Sequence, residues 1–550
     1  MARFMAAVRR DRYAERAVTL RIAVIADGGM VQRFALNALD AIEGPTEITV
    51  FSCTNTHVRK HWVKHGAYYA LNLLAIRNRL TRLVPVRSGT KSVSREIEFE
   101  SSYDGAWQIL PTHVIEALRS FDLVLKFGMG LLRVPPPDLL PVPILSYHHG
   151  DPDNFRGRPA GFWEVFQGAS VVGQVMQVIG DRLDAGNVAA FAETKLFPWS
   201  YRRTLLDAYR VSPLIINAAI RNALSTTYLE KSRDGRNYRL PSNLMVVRFV
   251  IRMLAQVVKR IFYGALQEKA WRVSTSARPE GLLATAFPDP DTWMTIPVAS
   301  GYSFYADPFF SNDPQAILVE GFRSGVGEIV RIDQSGHRSL IREPGHVSYP
   351  AVANIAGKEF IVPETASWSG PRVYSGNELQ ASLRIDCDPR VSDPTLIEWD
   401  GTIYLFGNDR RLGSNVLSLW AASALEDRFR LHPASPIRIS PQGSRMGGNI
   451  ILHDGRLVRL GQDLSGDYGN GLIIFEISEL NESRYSEREV GRIQFADRKG
   501  PHTLNVRDDS IVFDWYRDRF HVLAGFRRLK AVLQKRRLAR SVRQLSVKPV

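Results

Sequence analysis

Through the first two hundred positions, apolar residues gather in short β-branched runs separated by helical patterning; after about Trp271 the runs shorten further and are bounded by Gly, Pro, Asn and Asp. RIAVIADGG, from Arg21, is an unbroken apolar run ending in Asp and two glycines, the pattern of a buried parallel strand that feeds a turn. Helical spacing follows in VQRFALNALDAI, and ITVFSC (48–53), FDLVLKFG (121–128) and VPILSYH (142–148) repeat the strand signature. This alternation predicts an open α/β sheet. Sites in such sheets lie beyond the carboxyl ends of the strands, where Gly128, Gly130 and the His148 segment fall.

Residues 187 to about 270 are mostly helical in pattern and read as a connector. Beyond it an internal repeat pairs a start with a second strand five times: ADPFF with ILVEGF, SYPAV with EFIVPET, DPTLI with TIYLFGN, SRMGGNI with RLVRLGQD, and PHTLN with SIVFDWY. The starts fall near Asp307, Tyr349, Asp393, Arg445 and His502, a spacing that suits one four-stranded blade each. A five-bladed β-propeller is expected. The fold class is therefore multidomain, α/β plus all-β: an α/β domain over 18–190, a helical connector over 191–270, the propeller over 271–520 and a basic tail over 521–550.

Composition fits folded domains, with 45% apolar and 23% charged residues in a chain of 550, too long for one core. Cys53 and Cys387 are the only cysteines and lie far apart, so neither a disulfide framework nor a Cys-based metal site is expected. The N-terminus lacks the apolar core and small-residue cleavage site of a secretory signal. Four basic residues interrupt the longest apolar stretch, Leu244 to Leu266, which argues against a membrane span. A cytoplasmic location is the expectation.

The net charge of +15 is unevenly placed: from Arg517 onward, eleven basic residues face Asp518 alone. A nucleic-acid partner is not expected from a terminal excess. Phe526, Leu529, Val532, Leu533 and Leu538 recur at near-helical spacing, so the tail reads as a basic amphipathic helix, either solvated or held peripherally on an inner membrane surface or an acidic partner.

The segments SYHHGDPDNFRGRPAGFWEV (146–165), GQVMQVIGDRLDAG (173–186) and KFGMGLL (126–132) together resemble formyltransferases of the methionyl-tRNA and glycinamide-ribonucleotide type. That family carries Asn-x-His at a strand end, Arg-Gly eight residues after the His, and a Gly followed eleven residues later by Asp-x-Gly. Arg156 and Gly157 place the family His on His148, and Gly173 places its Asp on Asp184. The resemblance implies a Rossmann-like domain, 10-formyltetrahydrofolate as formyl donor and catalysis by His148, Asp184 and Ser146. It also implies a folate-side loop made by Phe127, Gly128, Met129, Gly130 and Leu131. His149, Asp151 and Arg156 are candidate substrate contacts.

An amine that attacks a formyl carbon generates an oxyanion and an excess proton, so one group must stabilise the first and another relay the second. An imidazole beside a carboxylate suits both needs. Two departures alter the picture: the family Asn falls on Ser146, whose hydroxyl is shorter than an amide, and a family His falls on Gln177. His148, His149, Asp151 and Asp153 match no ordinary zinc spacing, so no metal is expected.

In the propeller, Asp307, Glu320, Glu364, Asp393, Arg445 and His502 occupy repeated positions at blade starts and second-strand ends and are candidate sugar contacts. FYADPFF, SYPAV, VPET, DPTLI and Tyr468-Gly469 resemble the N-terminal domain of plant glucosamine inositolphosphorylceramide transferases and, more distantly, glycoside hydrolase propellers such as arabinanases. Such carboxylates bind sugar hydroxyls, perform acid and base work on a glycosidic bond, or simply fix turns. The expected activity is transfer of a formyl group to an amine of a sugar or glycan-linked substrate. Its rivals are a formyl hydrolase and a non-catalytic glycan-binding protein on a degenerate scaffold.

Overall fold

The computed structural model describes residues 19–56, 61–91, 93–180, 186–279, 287–343, 345–365, 370–375, 380–387 and 390–533. They form two compact units that divide at Val257/Val258.

In the first unit, seven long strands are β1 (Leu20–Asp27), β2 (Thr46–Cys53), β3 (Val93–Phe99), β4 (Leu123–Lys126), β5 (Ile144–His148), β6 (Val171–Val178) and β7 (Asn187–Lys195). They belong to a nine-stranded sheet in the order β7-β6-β5-β4-β1-β2-β3, and the short strands Met30–Gln32 and Leu83–Pro85 extend it from the end of β1. From β3 to β5 neighbouring strands are parallel, while β6 and β7 are antiparallel. Ile22 through Ala26 are inaccessible to solvent, as a parallel strand covered on both faces requires.

The helices are α1 (Arg33–Asp40), α2 (Trp62–Leu71), α3 (Thr112–Leu118), α4 (Phe162–Gln167) and α5 (Tyr201–Ser225). Val114 and Leu118 of α3 pack with Ala23, Ile25 and Val124 on one face of the sheet. On the other side α5 packs along β6, β7 and α1. Residues 187–225, expected to be a connector, thus supply the antiparallel edge of the sheet and a covering helix, because α5 buries an apolar stripe from Tyr201 to Ala223. The longer helix α6 (Asn243–Leu266) follows.

The second unit consists of five antiparallel sheets. After the last turns of α6, its first strand is β8 (Gln267–Ala277). The first sheet is β9 (Phe304–Phe310), β10 (Ile317–Arg323), β11 (Val326–Asp333) and β12 (Gly336–Ile341). The second is β13 (Val347–Ile355), β14 (Lys358–Thr365), β15 (Arg372–Ser375) and β16 (Gln380–Arg384). The third is β17 (Val391–Trp399), β18 (Thr402–Asp409), β19 (Val416–Ala422) and β20 (Arg430–Leu431), with Arg438–Ile439 also on β19. The fourth is β21 (Gln442–Met446), β22 (Arg456–Asp463), β23 (Leu472–Leu480) and β24 (Tyr485–Ile493). The fifth joins the two ends of the unit: β8 lies between Met294–Thr295 and β26 (Ser510–Phe520), which pairs in turn with β25 (Leu504–Arg507).

The first strand of each of the first four sheets is bulged at one place, between Ala306 and Phe309, Ser348 and Ala351, Ser392 and Thr395, and Gln442 and Arg445. Asp307, Tyr349 and Asp393 sit in these bulges at φ 48°, 49° and 48°, each just before a proline. A left-handed conformation is strained for any residue but glycine, and a following proline favours extended backbone instead. Surrounding interactions must hold these three residues in place.

Candidate functional site

Alternation along β5 sends Ser146 and His148 to one face and Tyr147 to the other, where the Tyr147 hydroxyl donates to Ser212 O of α5 at 2.7 Å. β4 and β5 are parallel neighbours, with Ser146 opposite Lys126. The 127–131 turn at the carboxyl end of β4 therefore lies beside the strand end that carries His148. Asp27, at the end of β1, anchors the turn by accepting from Met129 N at 2.8 Å, and the Lys126 ammonium donates to Gly130 O at 2.9 Å. Met129 and Gly130 both have positive φ, so the backbone reverses within two residues. His148 is buried, with Nε2 3.4 Å from Phe155 O. Asp184 lies outside the described residues.

The two departures from the formyltransferase pattern occupy facing positions. Ser146 and Gln177 are cross-strand partners of β5 and β6. The Ser146 hydroxyl donates to Lys126 O at 3.4 Å, whereas the buried Gln177 Oε1 has no partner among the described residues.

The candidate substrate contacts in the following turn engage protein groups. Asp151 accepts from Asn154 Nδ2 at 2.8 Å and pairs with Lys231 at 3.2 Å; Lys231 also reaches Asp153 at 3.3 Å. Arg156 donates to Gly235 O at 2.7 Å. Phe155–Gly157 then pairs in parallel with Arg236–Tyr238, and a Cβ on Gly157 would run into Tyr238 O. The Arg-Gly motif here docks the turn onto residues 231–238.

His149 faces the opposite side, packed by Phe34, Tyr147 and Tyr209 with ring centroids 4.5 to 6.0 Å away. Its buried Nε2 has no partner among the described residues, and burial followed by repulsion from His148 pulls the ring down to about 3. It is neutral at pH 7. Flanking this aromatic wall, Arg33 of α1 and Arg210 of α5 join Arg77, Arg79, Arg82 and Arg202 around a cavity of about 810 Å³ whose lining, among the described residues, includes no carboxylate. These arginines come from three separated segments. A local signal existed only in RNRLTR (77–82).

In the second unit, repeated polar residues link one sheet to the next. Asp514 of β26 accepts from Asp307 N at 3.1 Å, and Glu364 of β14 accepts from Asp393 N at 3.1 Å. Asn408 of β18, the equivalent residue of the third sheet, donates to Ser444 O at 2.8 Å. The first two bonds satisfy the backbone N–H groups of the strained residues Asp307 and Asp393, which gives a physical reason for the acidic residue that recurs at the end of the second strand.

The same residues build a buried polar cluster in two parts. In one, His502 Nδ1 lies 2.7 Å from Asp514 Oδ2, its Nε2 contacts the Tyr468 hydroxyl and is 3.5 Å from Asp307, and the Thr503 hydroxyl donates to Asp307 at 2.7 Å. In the other, Arg445 clamps Asp393 and lies 3.7 Å from Glu364, which also binds Arg410; Gln462 donates to Asp393 at 3.3 Å. Glu320 stands 3.5 Å from His346. Asp463 instead holds its own turn through Ser465 and Asn470.

Burial raises Asp307 and Glu320, and neighbouring carboxylates push Glu320 further, well above the usual range. Burial also lifts Asp393 to about 7 against the pull of Arg445. At Glu364 the nearby Arg445 and Arg410 outweigh burial and hold the carboxyl low. Asp514 and Asp307 outweigh burial at His502 and raise it. Neighbouring carboxyls are thus shifted in opposite directions, the arrangement that suits one to donate and another to accept a hydrogen bond. Asp409 through Arg411 carried no repeat signal that marked Arg410.

Asp307, His502 and Asp514 bring three potential ligand atoms within 4.8 Å of one another. Asp514 already accepts from His502 N, Thr503 N, Asp307 N and His502 Nδ1. A cation there would have to displace internal hydrogen bonds.

Residues 338–511 match the family described as glucosamine inositolphosphorylceramide transferase 1, N-terminal. This region contains Glu364, Asp393, Arg445, Tyr468 and His502, while Asp307, Glu320 and Asp514 lie on either side of it. Glucosamine inositolphosphorylceramide transferase 1 of Arabidopsis thaliana is 28% identical over 226 residues, covering 37% of this chain and 29% of the plant protein. The protein of that name from Oryza sativa subsp. japonica is 24% identical over 269 residues, 44% of this chain and 36% of its own. The chain thus spans about a third of the length of these relatives. Glycinamide ribonucleotide transformylase 1 from Symbiobacterium toebii superposes with a TM-score of 0.25 at 20% identity, over 40% of this chain and 94% of its own. The chain carries, behind an α/β unit, a region similar to the N-terminal part of the plant transferases.

Proposed function

We propose that the chain is a sugar-modifying formyltransferase: the α/β unit moves a formyl group onto an amine of an anionic sugar, and the second unit, a five-bladed β-propeller, binds carbohydrate. The observation that carries this reading is the juxtaposition of the 127–131 turn with His148 at neighbouring strand ends. When bound, 10-formyltetrahydrofolate would supply the activated one-carbon unit. The reversed backbone of Met129 and Gly130 suits a planar, hydrogen-bonding ring, and Asp27 holds that turn rigid. His148 is placed to donate to the oxygen on which negative charge develops. With Ser146 donating to Lys126 O, the imidazole carries more of that task than in a site with an amide donor.

The arginine cavity supports an acceptor that carries phosphate or another compact anion, since guanidinium forks bind such groups bidentately. Arg33 and Arg210 of the cavity lining are the chain neighbours of Phe34 and Tyr209, which pack against His149 directly after β5, and this supports an acceptor whose anion is held near the strand ends. In the propeller, the Asp393–Arg445–Glu364 group supplies fixed acceptors and donors for sugar hydroxyls.

Incubation of the full chain with 10-formyltetrahydrofolate and a panel of amino sugars and their phosphate esters should give a product 28 Da heavier, with the phosphorylated acceptors preferred. His148→Ala should slow turnover about 10²-fold or more, while Ser146→Ala should cost less than about tenfold because its hydroxyl is already engaged. Formate release without an acceptor would identify a hydrolase. Absence of both products, with glycan binding intact in His148→Ala, would leave only a binding protein.

A further inference from the structure

One face of α6 bears Leu244, Val247, Ile251, Leu254, Val258, Ile261 and Phe262, each 50 to 63% exposed. The intervals of three and four residues align them in one stripe along the helix. Val246 and Phe249, on another face, are the buried apolar residues of α6. A second exposed apolar group adjoins the end of this helix. Residues 524–533 form a short helix, α7, on which Phe526, Leu529, Val532 and Leu533 are about half exposed or more. Arg528 ties α7 to the last turn of α6 by donating to Tyr263 O at 3.3 Å and Gly264 O at 3.0 Å. Phe520, Val522 and Leu523, just before α7, are exposed as well. Scattered surface leucines need no explanation, but an array of this length does.

Charge selects the occupant. Between Asn243 and Leu266 the sequence holds Arg248, Arg252, Lys259 and Arg260 and no carboxylate, and residues 534–550 add six basic residues, again with no acidic one. A second copy docking stripe to stripe would set four positive charges against four, without the complementary charges that flank a paired helix seam. An anionic bilayer meets both demands: its acyl boundary accepts the apolar stripe and its headgroups neutralise the flanking cations. No helix among the described residues is long and apolar enough to cross a membrane, so the contact lies in the interface.

We infer that α6 and α7 form a membrane-docking surface that holds the protein on anionic lipid. The full chain should co-sediment with vesicles of 30% phosphatidylglycerol in phosphatidylcholine. Binding to phosphatidylcholine alone should be at least tenfold weaker, and 0.5 M NaCl should weaken binding to the anionic vesicles. Substituting Ile261→Ser, Phe262→Ser, Phe526→Ser and Leu529→Ser together should lower binding at least tenfold with no change in thermal melting. Should that variant misfold, Arg248→Gln with Lys259→Gln, which keeps the apolar stripe, should still erase most of the preference for phosphatidylglycerol. Failure to bind the anionic vesicles, or binding indifferent to both variants, overturns the inference. So does sedimentation velocity that shows a concentration-dependent dimer abolished by the serine variant, which would assign the stripe to a second copy.

Discussion

His149 shows how one buried side chain ties stability to pH. Its imidazole is pulled from 6.5 to about 3 in the folded protein, first by burial and then by His148. Between those values the unfolded chain binds more protons than the folded one. The stability gained by keeping the ring neutral is therefore fully present above pH 6.5 and declines as pH falls toward 3. One proton sets a slope of at most about 1.4 kcal/mol per pH unit. Asp393 acts in the opposite sense: raised to about 7, it contributes stability below its unfolded value that is lost as pH rises through 7. The parent protein mixes the two trends, so a substitution is needed to separate them. His149→Phe suits the aromatic wall of Phe34, Tyr147 and Tyr209. The slope of the urea midpoint against pH, measured from pH 4 to 6.5, should be less positive in that variant than in the parent, because the rise that His149 contributes is gone and the fall from Asp393 remains. An equal slope would mean that the ring takes up a proton without cost.

At the level of elements, cross-strand partners decide what a residue can do. Arg459 of β22 is fully buried, reaching past Phe475 of β23, 4.4 Å from its ring, to donate twice to Glu487 of β24 at 2.8 Å and once to Gly443 O at 2.7 Å. Breaking a buried pair by removing one partner costs about 3 to 5 kcal/mol, and replacing both with apolar groups is often near neutral. Arg438 still reaches Glu487 at 3.1 Å, which places Arg459→Met near the lower end. Chemical denaturation should show that loss, and Arg459→Met with Glu487→Leu should recover most of it. Local pattern located the strands carrying His148, Asp307, Tyr349 and Asp393, because each depends on an apolar run and a nearby turn. It did not show that Ser146 faces Gln177, that Asp514 latches Asp307, or that six arginines converge, since those relations arise only when distant segments pair. The helical pattern of 201–225 was legible, but 187–195, read as part of the same helical stretch, is the strand β7, and the place of α5 beside β6 and β7 was not legible because periodicity gives a buried face without naming what covers it.

Across the whole second unit, the decisive pairing is the least local one. β8 and β26 align over their full length, from Gln267 opposite Phe520 to Ala277 opposite Ser510. This places the first and last long strands of the unit in one sheet, which also carries Asp514, the acceptor for Asp307 N and the partner of His502. Val273 of β8 packs with Tyr305, Val319, Val330 and Val512, joining this sheet to β9, β10 and β11. Loop closure over such a separation is entropically costly, so the pairing must be repaid by the contacts it completes. If the clasp holds the sheets as one cooperative body, introducing a buried charge with Val273→Asp should loosen all of them. Native-state hydrogen exchange should then lose protection in β9, β13, β17 and β21 together with β8 and β26, and carbohydrate binding should fall in step. Loss confined to β8 and β26 would show that the four internal sheets hold one another, and that the fifth serves chiefly to position Asp514 and His502.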